Sequence, residues 1–374
     1  MIYLDYNATA PLHPRVERGL KKAAALFANP SSVYHAGRQA KEAIESSRET
    51  LATHLNADPA QITFTSSGTE ANNQILQTIW TSALRERRNP HFIMSATEHA
   101  CVRNTAIFLR EMGVEVTEIG VDEWGLIHLD ELAAALRPDT ALVSVILANN
   151  ETGTLQPLPQ IVALAHAKNI PVHTDAVQAF GRLGLDFRAS GVDFMTLSAH
   201  KIGALKGVGA LLAKTPAQLN PLLHGGPQEK QKRAGTENTL GIMSLEMVLE
   251  AEVSPIDLAV LTAYFEAKIH REIPDVIRNG HPTLCLPNTL NLSFLGTQGE
   301  AIMMNLDLAG IACSTGSACS TGSIDPSHVL QAMNVGPDRL TSAVRFSLGP
   351  QTTPAELDQV VAAIKPLVAR LRMQ

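Results

Sequence analysis

Apolar and polar positions alternate along the chain in two recurring patterns, short apolar runs and longer stretches at helical spacing. Residues 61–65 (QITFT) read as a short strand that ends at a turn. From Thr69 onward the apolar positions Ile75, Ile79, Trp80 and Leu84 recur as on one face of a helix. Residues 141–147 (ALVSVIL) form an apolar run between Pro138 and the pair Asn149 and Asn150, which suits a buried parallel strand. Residues 158–168 then read as a crossover helix. Residues 171–174, 192–198 and 208–213 read as further strands, the last after a glycine turn. Strands separated by helices favour an α/β topology.

The pattern changes near residues 250–255, where serine and proline follow a long helix ending in LEMVLEAE. Beyond it, residues 257–270 read as a helix, 290–294 as a strand and 300–308 as a helix. Helices are also expected at 328–333 and 356–371, with a strand at 343–348 between them. A second domain is therefore expected from about residue 254 to the end.

Composition narrows the function classes. The chain has 374 residues, 45% of them apolar and 18% charged, enough to build a core. Thirty basic against thirty-six acidic residues give a net charge of -6, which argues against a nucleic-acid or polybasic membrane surface. No apolar run approaches the roughly 20 residues of a membrane helix. Four scattered cysteines, Cys101, Cys285, Cys313 and Cys319, suit a reducing compartment, and a cytoplasmic protein is expected.

Several segments carry candidate chemistry, each with a plainer alternative. In SSGTEANN, Ser66, Ser67, Gly68 and Thr69 stand between a strand and a helix. They could bind an anion at a helix start, or Thr69 could simply cap the helix. Asp175, in VHTDAVQ, follows a buried strand and could hold a cation or a protonated heterocycle, or cap a helix. Ser198, His200 and Lys201 occupy an otherwise uncharged loop, SAHKIGALKG. Burial there would free the Lys201 amine for a Schiff base; a surface lysine before a glycine turn is the alternative. In IACSTGSACSTGS, Cys319 lies in a small-residue segment suited to thiol chemistry, unless both cysteines are tucked away as small hydrophobes. No paired CxxC or HExxH supports a metal site. Cys101 and Cys285 read as packing residues. Arg85, Arg87 and Arg88 read as complements to a helix C-terminal dipole.

In their order along nearly the whole chain, these pieces resemble the cysteine desulfurases of the IscS/NifS type, fold-type I pyridoxal-phosphate enzymes. The resemblance is carried by YLDYNATAPLHP (3–14), NPSSVYHAGR (29–38), FTSSGTEANN (64–73), ATEHACV (96–102), NNETGTLQP (149–157), HTDAVQAFG (173–181), SAHK (198–201), RAGTEN (233–238), STGSACSTG (314–322) and VRFSLG (344–349). It implies a mainly parallel large-domain sheet flanked by helices, with a smaller α/β C-terminal domain. It further implies a large domain over 13–253 and a discontinuous small domain over 1–12 and 254–374. The cofactor would be pyridoxal 5'-phosphate and the substrate L-cysteine.

The same resemblance assigns one role to each matched residue. Lys201 would carry the cofactor as a Schiff base, Asp175 would pair with its ring nitrogen and Gln178 with its ring hydroxyl. His99 would stack on the ring, and Gly68, Thr69, Ser198 and His200 would hold the phosphate. Asn150 would touch cofactor or substrate, and Arg345 would bind the substrate carboxylate. Thr236 would reach the phosphate of a partner subunit, implying a homodimer. Cys319 would take the sulfur as a persulfide and pass it to an acceptor, such as an iron–sulfur scaffold; His99 is a candidate to deprotonate it. The surroundings of Cys319 resemble the long-loop class of these enzymes. Two stretches depart from the family pattern: residues 202–206 lack the usual proline, and Lys230, Gln231 and Lys232 stand where a glycine is usual next to Glu229. A selenocysteine lyase and a non-catalytic sulfur-relay protein are the alternatives. Retained Lys201 and Asp175 argue against the second.

Overall fold

A computed structural model describes residues 1–86, 89–251, 256–315 and 326–373. The chain opens with β1 (Ile2–Tyr3), α1 (Pro14–Ala23) and α2 (His35–His54). Alternation follows: β2 (Ile62–Thr65), α3 (Gly68–Arg85), β3 (His91–Ser95), α4 (Ala100–Glu111), β4 (Glu115–Ile119), α5 (Leu129–Ala135) and β5 (Thr140–Ser144). It continues through α6 (Leu158–His166), β6 (Val172–Asp175), α7 (Phe187–Ser190), β7 (Phe194–Ser198) and β8 (Gly209–Ala213). Two helices, α8 (Gln228–Gln231) and α9 (Thr239–Leu249), lead out of this part. The remainder comprises α10 (Leu258–Glu272), β9 (Val276–Asn279), β10 (Thr289–Phe294), α11 (Gly299–Leu308), β11 (Ile311–Ala312), α12 (His328–Ala332), α13 (Pro337–Thr341), β12 (Ala343–Ser347) and α14 (Pro354–Leu371).

Seven strands form one sheet in the order β2-β8-β7-β6-β5-β3-β4. Strands β7, β6, β5, β3 and β4 run parallel, while β8 is antiparallel to both β7 and β2. The sheet is thus mixed but mainly parallel, as expected. Every residue of β3 and β7 is buried, because helices cover both faces. Neighbouring residues enter opposite cores: Ile93 and Val143 pack with Ile161 and Phe180, whereas Phe92 and Leu142 pack with Ile75 and Leu109. This follows from the two-residue period of a strand.

The smaller unit is a three-stranded antiparallel sheet, ordered β12-β10-β9, with α10, α11 and α14 supplying its core. Phe265 meets Phe346 edge-on, with ring centroids 5.3 Å apart. Helix α14 begins at a capping box: Thr353 Oγ1 accepts from Glu356 N, and Glu356 returns its carboxylate to Thr353 N. The N-terminal β1 pairs in parallel with β11, and Asp5 bridges to Ser347 of β12. The first residues of the chain therefore lie against its last third. The expected Cys319 loop falls outside the described residues, as do Arg87 and Arg88.

A buried ion pair ties α2 to the segment after β8. The Arg48 guanidinium donates to both carboxylate oxygens of Glu229, at 2.8 and 2.9 Å, and both side chains are about 97% enclosed or more, at 3% and 2% exposure. Glu229 also accepts from Phe64 N at 2.9 Å, and Arg48 donates to Ile62 O. Glu229, Lys230 and Gln231 take left-handed backbone angles, with φ of 46°, 55° and 66°. Side chains with a Cβ are strained there, in the stretch where the resemblance led to the expectation of a glycine. Arg48→Met should leave Glu229 as an unpaired buried charge and cost about 3–5 kcal/mol. Adding Glu229→Gln, which keeps an acceptor for Phe64 N, should recover part of that. Urea unfolding of both variants checks this; a single substitution costing under about 1 kcal/mol would refute it.

Candidate active site

The carboxyl ends of the parallel strands converge on one cavity of about 360 Å³. Open α/β sheets present their ligand sites at this edge. The segment after β3 delivers His99, that after β5 delivers Ile146 and Asn150, and β6 ends at Asp175 with Gln178 beyond. Strand β7 ends at Ser198, with His200 and Lys201 next, and β12 contributes Arg345. Gly68 and Thr69 line the same cavity at the start of α3. The structure thus gathers ten of the twelve residues to which the resemblance gave a role, and Ser67 with them. Thr236 is not among the lining residues: it is exposed, three residues past Arg233, whose Nε donates to Glu70 Oε1 at 2.9 Å.

At the α3 end the helix start is open to an anion. Ser67, not Thr69, is the cap: its Oγ accepts from Glu70 N at 3.1 Å. Glu70 in turn accepts from Ser66 N at 2.9 Å and from the Ser66 hydroxyl. Thr69 thus lines the cavity without serving as the cap. Gly68 is required by close approach, since a Cβ there would lie 2.8 Å from Val177 Cγ2.

A hydrogen-bonded chain crosses the floor. Asn72 Nδ2 donates to Asp175 Oδ2 at 2.7 Å and lies 3.0 Å from Cys101 Sγ. Cys101 Sγ is 2.9 Å from His99 Nδ1, which also accepts from Cys101 N at 3.2 Å and so caps α4. With Nδ1 accepting, a neutral His99 carries its proton on Nε2. Asp175 is 3% exposed and also accepts from Val177 N at 2.9 Å. Cys101, read from the sequence as a packing residue, does pack against the core that holds Ile75 and Leu109, and it lines the cavity as well. It occupies the first turn of α4, where the helix start turns toward the site. His200 Nδ1 lies 3.1 Å from Thr9 Oγ1; burial, with Lys201 and Lys206 nearby, pulls its pKa down to about 4, so it is neutral at pH 7.

Lys201 sits on a short 3₁₀ turn, Ala199–Ile202, closed by Gly203 at φ 88°. A Cβ at Gly203 would lie 2.9 Å from Pro11 O, so the turn needs glycine even without the usual proline. The Lys201 amine donates to Asn7 O at 2.7 Å and Ala8 O at 2.9 Å. Arg345, 3% exposed, donates to Asn150 O at 2.9 Å and pairs with Asp5 at 2.7 Å. Its Nε is buried without a partner among the described residues. Residues 5–8 therefore organise the site, although no role was read for them; their place in the YLDYNATAPLHP motif was the available signal.

Beneath the floor lies Glu98, fully buried. Its Oε1 accepts from Ile146 N at 2.6 Å, and its Oε2 has no partner among the described residues. Burial, and then the charge of Asp175, push its pKa well above the usual carboxylate range. A carboxyl whose folded pKa is raised stabilises fully below its unfolded pKa, and that stability is lost as pH rises through the folded value. Glu98→Gln keeps the bond to Ile146 N without the titration. Its melting temperature should rise relative to wild type as pH increases from 5 to 9. A difference that stays constant over that range would refute this.

Residues 2–360 match the aminotransferase class-V family. The chain is 40% identical over 377 residues to a cysteine desulfurase IscS of Dictyoglomus turgidum, covering 99% of this chain and 95% of the relative. The chain belongs to the cysteine desulfurase group of the class-V aminotransferases. A solved NifS-like protein superposes with a TM-score of 0.92 at 32% identity, covering 99% of this chain and all of the other. A structure of SspA in complex with cysteine gives a TM-score of 0.84 at 34% identity, covering 94% of this chain and all of the other. The class-V fold is that of pyridoxal-phosphate enzymes, and the cavity suits such a group. A helix start without a Cβ at Gly68 faces it, a buried carboxylate lies at Asp175 and an amine at Lys201.

Proposed function

We propose that this protein is a pyridoxal-phosphate-dependent cysteine desulfurase that converts L-cysteine to L-alanine and keeps the sulfur as a persulfide on Cys319. The observation that carries the reading is one cavity lined by Lys201, Asp175, the start of α3 and Arg345. An amine, an acid, an anion site and a guanidinium are the groups needed to hold this cofactor and an amino acid together. The solved relative that holds cysteine supports the choice of substrate.

Each residue has a task in this reading. Gly68, Thr69, Ser198 and His200 would receive the phosphate, Asp175 the ring nitrogen and Gln178 the ring hydroxyl. The bound cofactor draws electrons from the substrate Cα. The Lys201 amine would move the Cα proton, and Arg345 would hold the carboxylate. The Cys319 thiolate attacks the substrate sulfur: an S–S bond forms, the Cβ–S bond breaks, and Cβ takes a proton on the way to alanine. No external oxidant is needed. His99 is the group proposed to take the Cys319 proton, which requires Nδ1, its unprotonated nitrogen, to release the bond from Cys101 N.

The proposal extends to a cytoplasmic homodimer that hands sulfur to an acceptor protein, with iron–sulfur cluster assembly as the outlet. Exposed Thr236, anchored nearby through Arg233 and Glu70, supports a role across a subunit boundary. Light scattering during turnover should give the dimer mass.

The purified protein loaded with pyridoxal phosphate should absorb in the visible and release one alanine per sulfur transferred from L-cysteine. A protein that takes up no cofactor and releases no alanine would defeat the proposal. Faster turnover of L-selenocysteine than of L-cysteine would move the reading to a selenocysteine lyase.

A further inference from the structure

Arg182 stands four residues after Gln178 and grips it twice. Its Nη1 donates to the backbone oxygen of Gln178 at 3.1 Å and to the side-chain Oε1, while Nη2 donates to Tyr6 O at 3.0 Å. A guanidinium only donates, so the amide oxygen of Gln178 is the end that faces Arg182. The amide NH₂ points the other way and donates to Asn7 O at 3.0 Å, the carbonyl that also receives the Lys201 amine. Among the described residues no carboxylate is paired with Arg182, whereas the neighbouring Arg345 is paired with Asp5. Burial, with a smaller push from Arg345, pulls the Arg182 pKa down to about 9, which leaves it charged at pH 7.

We propose that Arg182 is a positioning residue, which fixes the Gln178 amide with its donor end toward the cavity and sets a positive charge behind it. Gln178 lines the cavity and Arg182 acts through it. Without the guanidinium, only the bond to Asn7 O holds the amide, and its oxygen can turn inward, where it would repel an anionic oxygen of a bound ligand. This rests on the cofactor reading above, in which Gln178 meets the ring hydroxyl. A cation one amide away would favour the ionised form of that hydroxyl and so lower the pH at which the cofactor's visible band titrates.

The test uses the full chain, stripped of cofactor and titrated with pyridoxal phosphate. Arg182→Gln should weaken binding about tenfold and move the titration of the visible band up by about 1 pH unit. Arg182→Lys keeps a charge and a donor, and should stay within about threefold of wild type in affinity with its band titrating as in wild type. In a Gln178→Ala background, Arg182→Gln should change affinity by less than about twofold, because the residue through which it acts is gone. An Arg182→Gln protein that matches wild type in both readouts overturns the proposal, as does an equal loss in the Gln178→Ala background. Should Arg182→Gln not fold, Arg182→Lys decides, and a band moved up by about 1 pH unit despite the retained charge overturns it. A wild-type protein with no visible band refutes the cofactor reading itself, a result distinct from either of these.

Discussion

Lys201→Ala is expected to fold, to lose the visible band of covalently held cofactor, and to lose turnover of L-cysteine by at least about 10³-fold. The amine is held by two backbone oxygens, Asn7 O and Ala8 O, from a part of the chain almost two hundred residues away. Those acceptors hold it at the cavity wall, ready for a carbonyl ligand. Its loss removes no core packing, because the 3₁₀ turn is shaped by Gly203 and Pro11 and not by the lysine. Melting temperature should therefore change little while the band disappears. Lys206 is the rival carrier, five residues on. It is exposed and does not line the cavity. Borohydride reduction and peptide mapping of wild type should place the adduct on Lys201. An adduct on Lys206, or a retained band in Lys201→Ala, would overturn the assignment.

The parts of the fold that were legible in the sequence are those whose buried face is apolar. β5, β7 and β12 are fully or almost fully buried, and their apolar residues announced them within a few positions. Helix α2 escaped notice for the opposite reason. Its buried face is Gly37, Ala40, Ile44, Ser47, Arg48 and Leu51, so small and charged residues hide the helical period. Arg48 faces inward because Glu229 waits there, a pairing 181 residues apart that no local pattern reveals. β4 was missed because it is an edge strand with glutamates at two of its five positions.

The candidate site divides in the same way. Side chains such as Asp175 and Lys201 have an identity that can be read, and chemistry limits what they can do in a strand-to-turn position. The oxygens of Tyr6, Asn7 and Ala8 have none, since any residue supplies a carbonyl. They receive Arg182, Gln178 and Lys201 and set the orientation of each. Only the folded chain discloses them. Cys101 is an intermediate case. One cysteine in a helical segment is usually a packing residue, as Cys101 is, and it reaches the cavity too because α4, capped by His99, turns its first residues toward Asn72.

Cys319→Ser is expected to abolish persulfide formation and alanine release while leaving the visible cofactor band intact. Three other cysteines bear on that expectation. Cys313 follows β11 and packs against the core of the smaller unit, where burial, and then Asp5, push its thiol up to about 12. At pH 7 only about one part in 10⁵ of such a thiol is thiolate, the form that attacks sulfur. Cys313→Ser should keep substantial turnover, with any loss coming from packing. Cys285 is held by Arg278 Nη2 at 3.2 Å, on a strand bridge to Thr154. It does not line the cavity. Cys101 is the rival that the structure adds, lying in the cavity within 2.9 Å of His99 Nδ1. It is fixed in a helix, however, and has no travel with which to deliver sulfur to a second protein. Cys319 stands between Gly316 and Gly322 in a small-residue segment, the composition that permits such travel. Mass spectrometry after adding L-cysteine without reductant should find the extra sulfur on Cys319 in wild type and in Cys313→Ser, and on no cysteine in Cys319→Ser. Persulfide on Cys101 or Cys313 in the Cys319→Ser protein, together with alanine released at the wild-type rate, would overturn the proposed route of the sulfur.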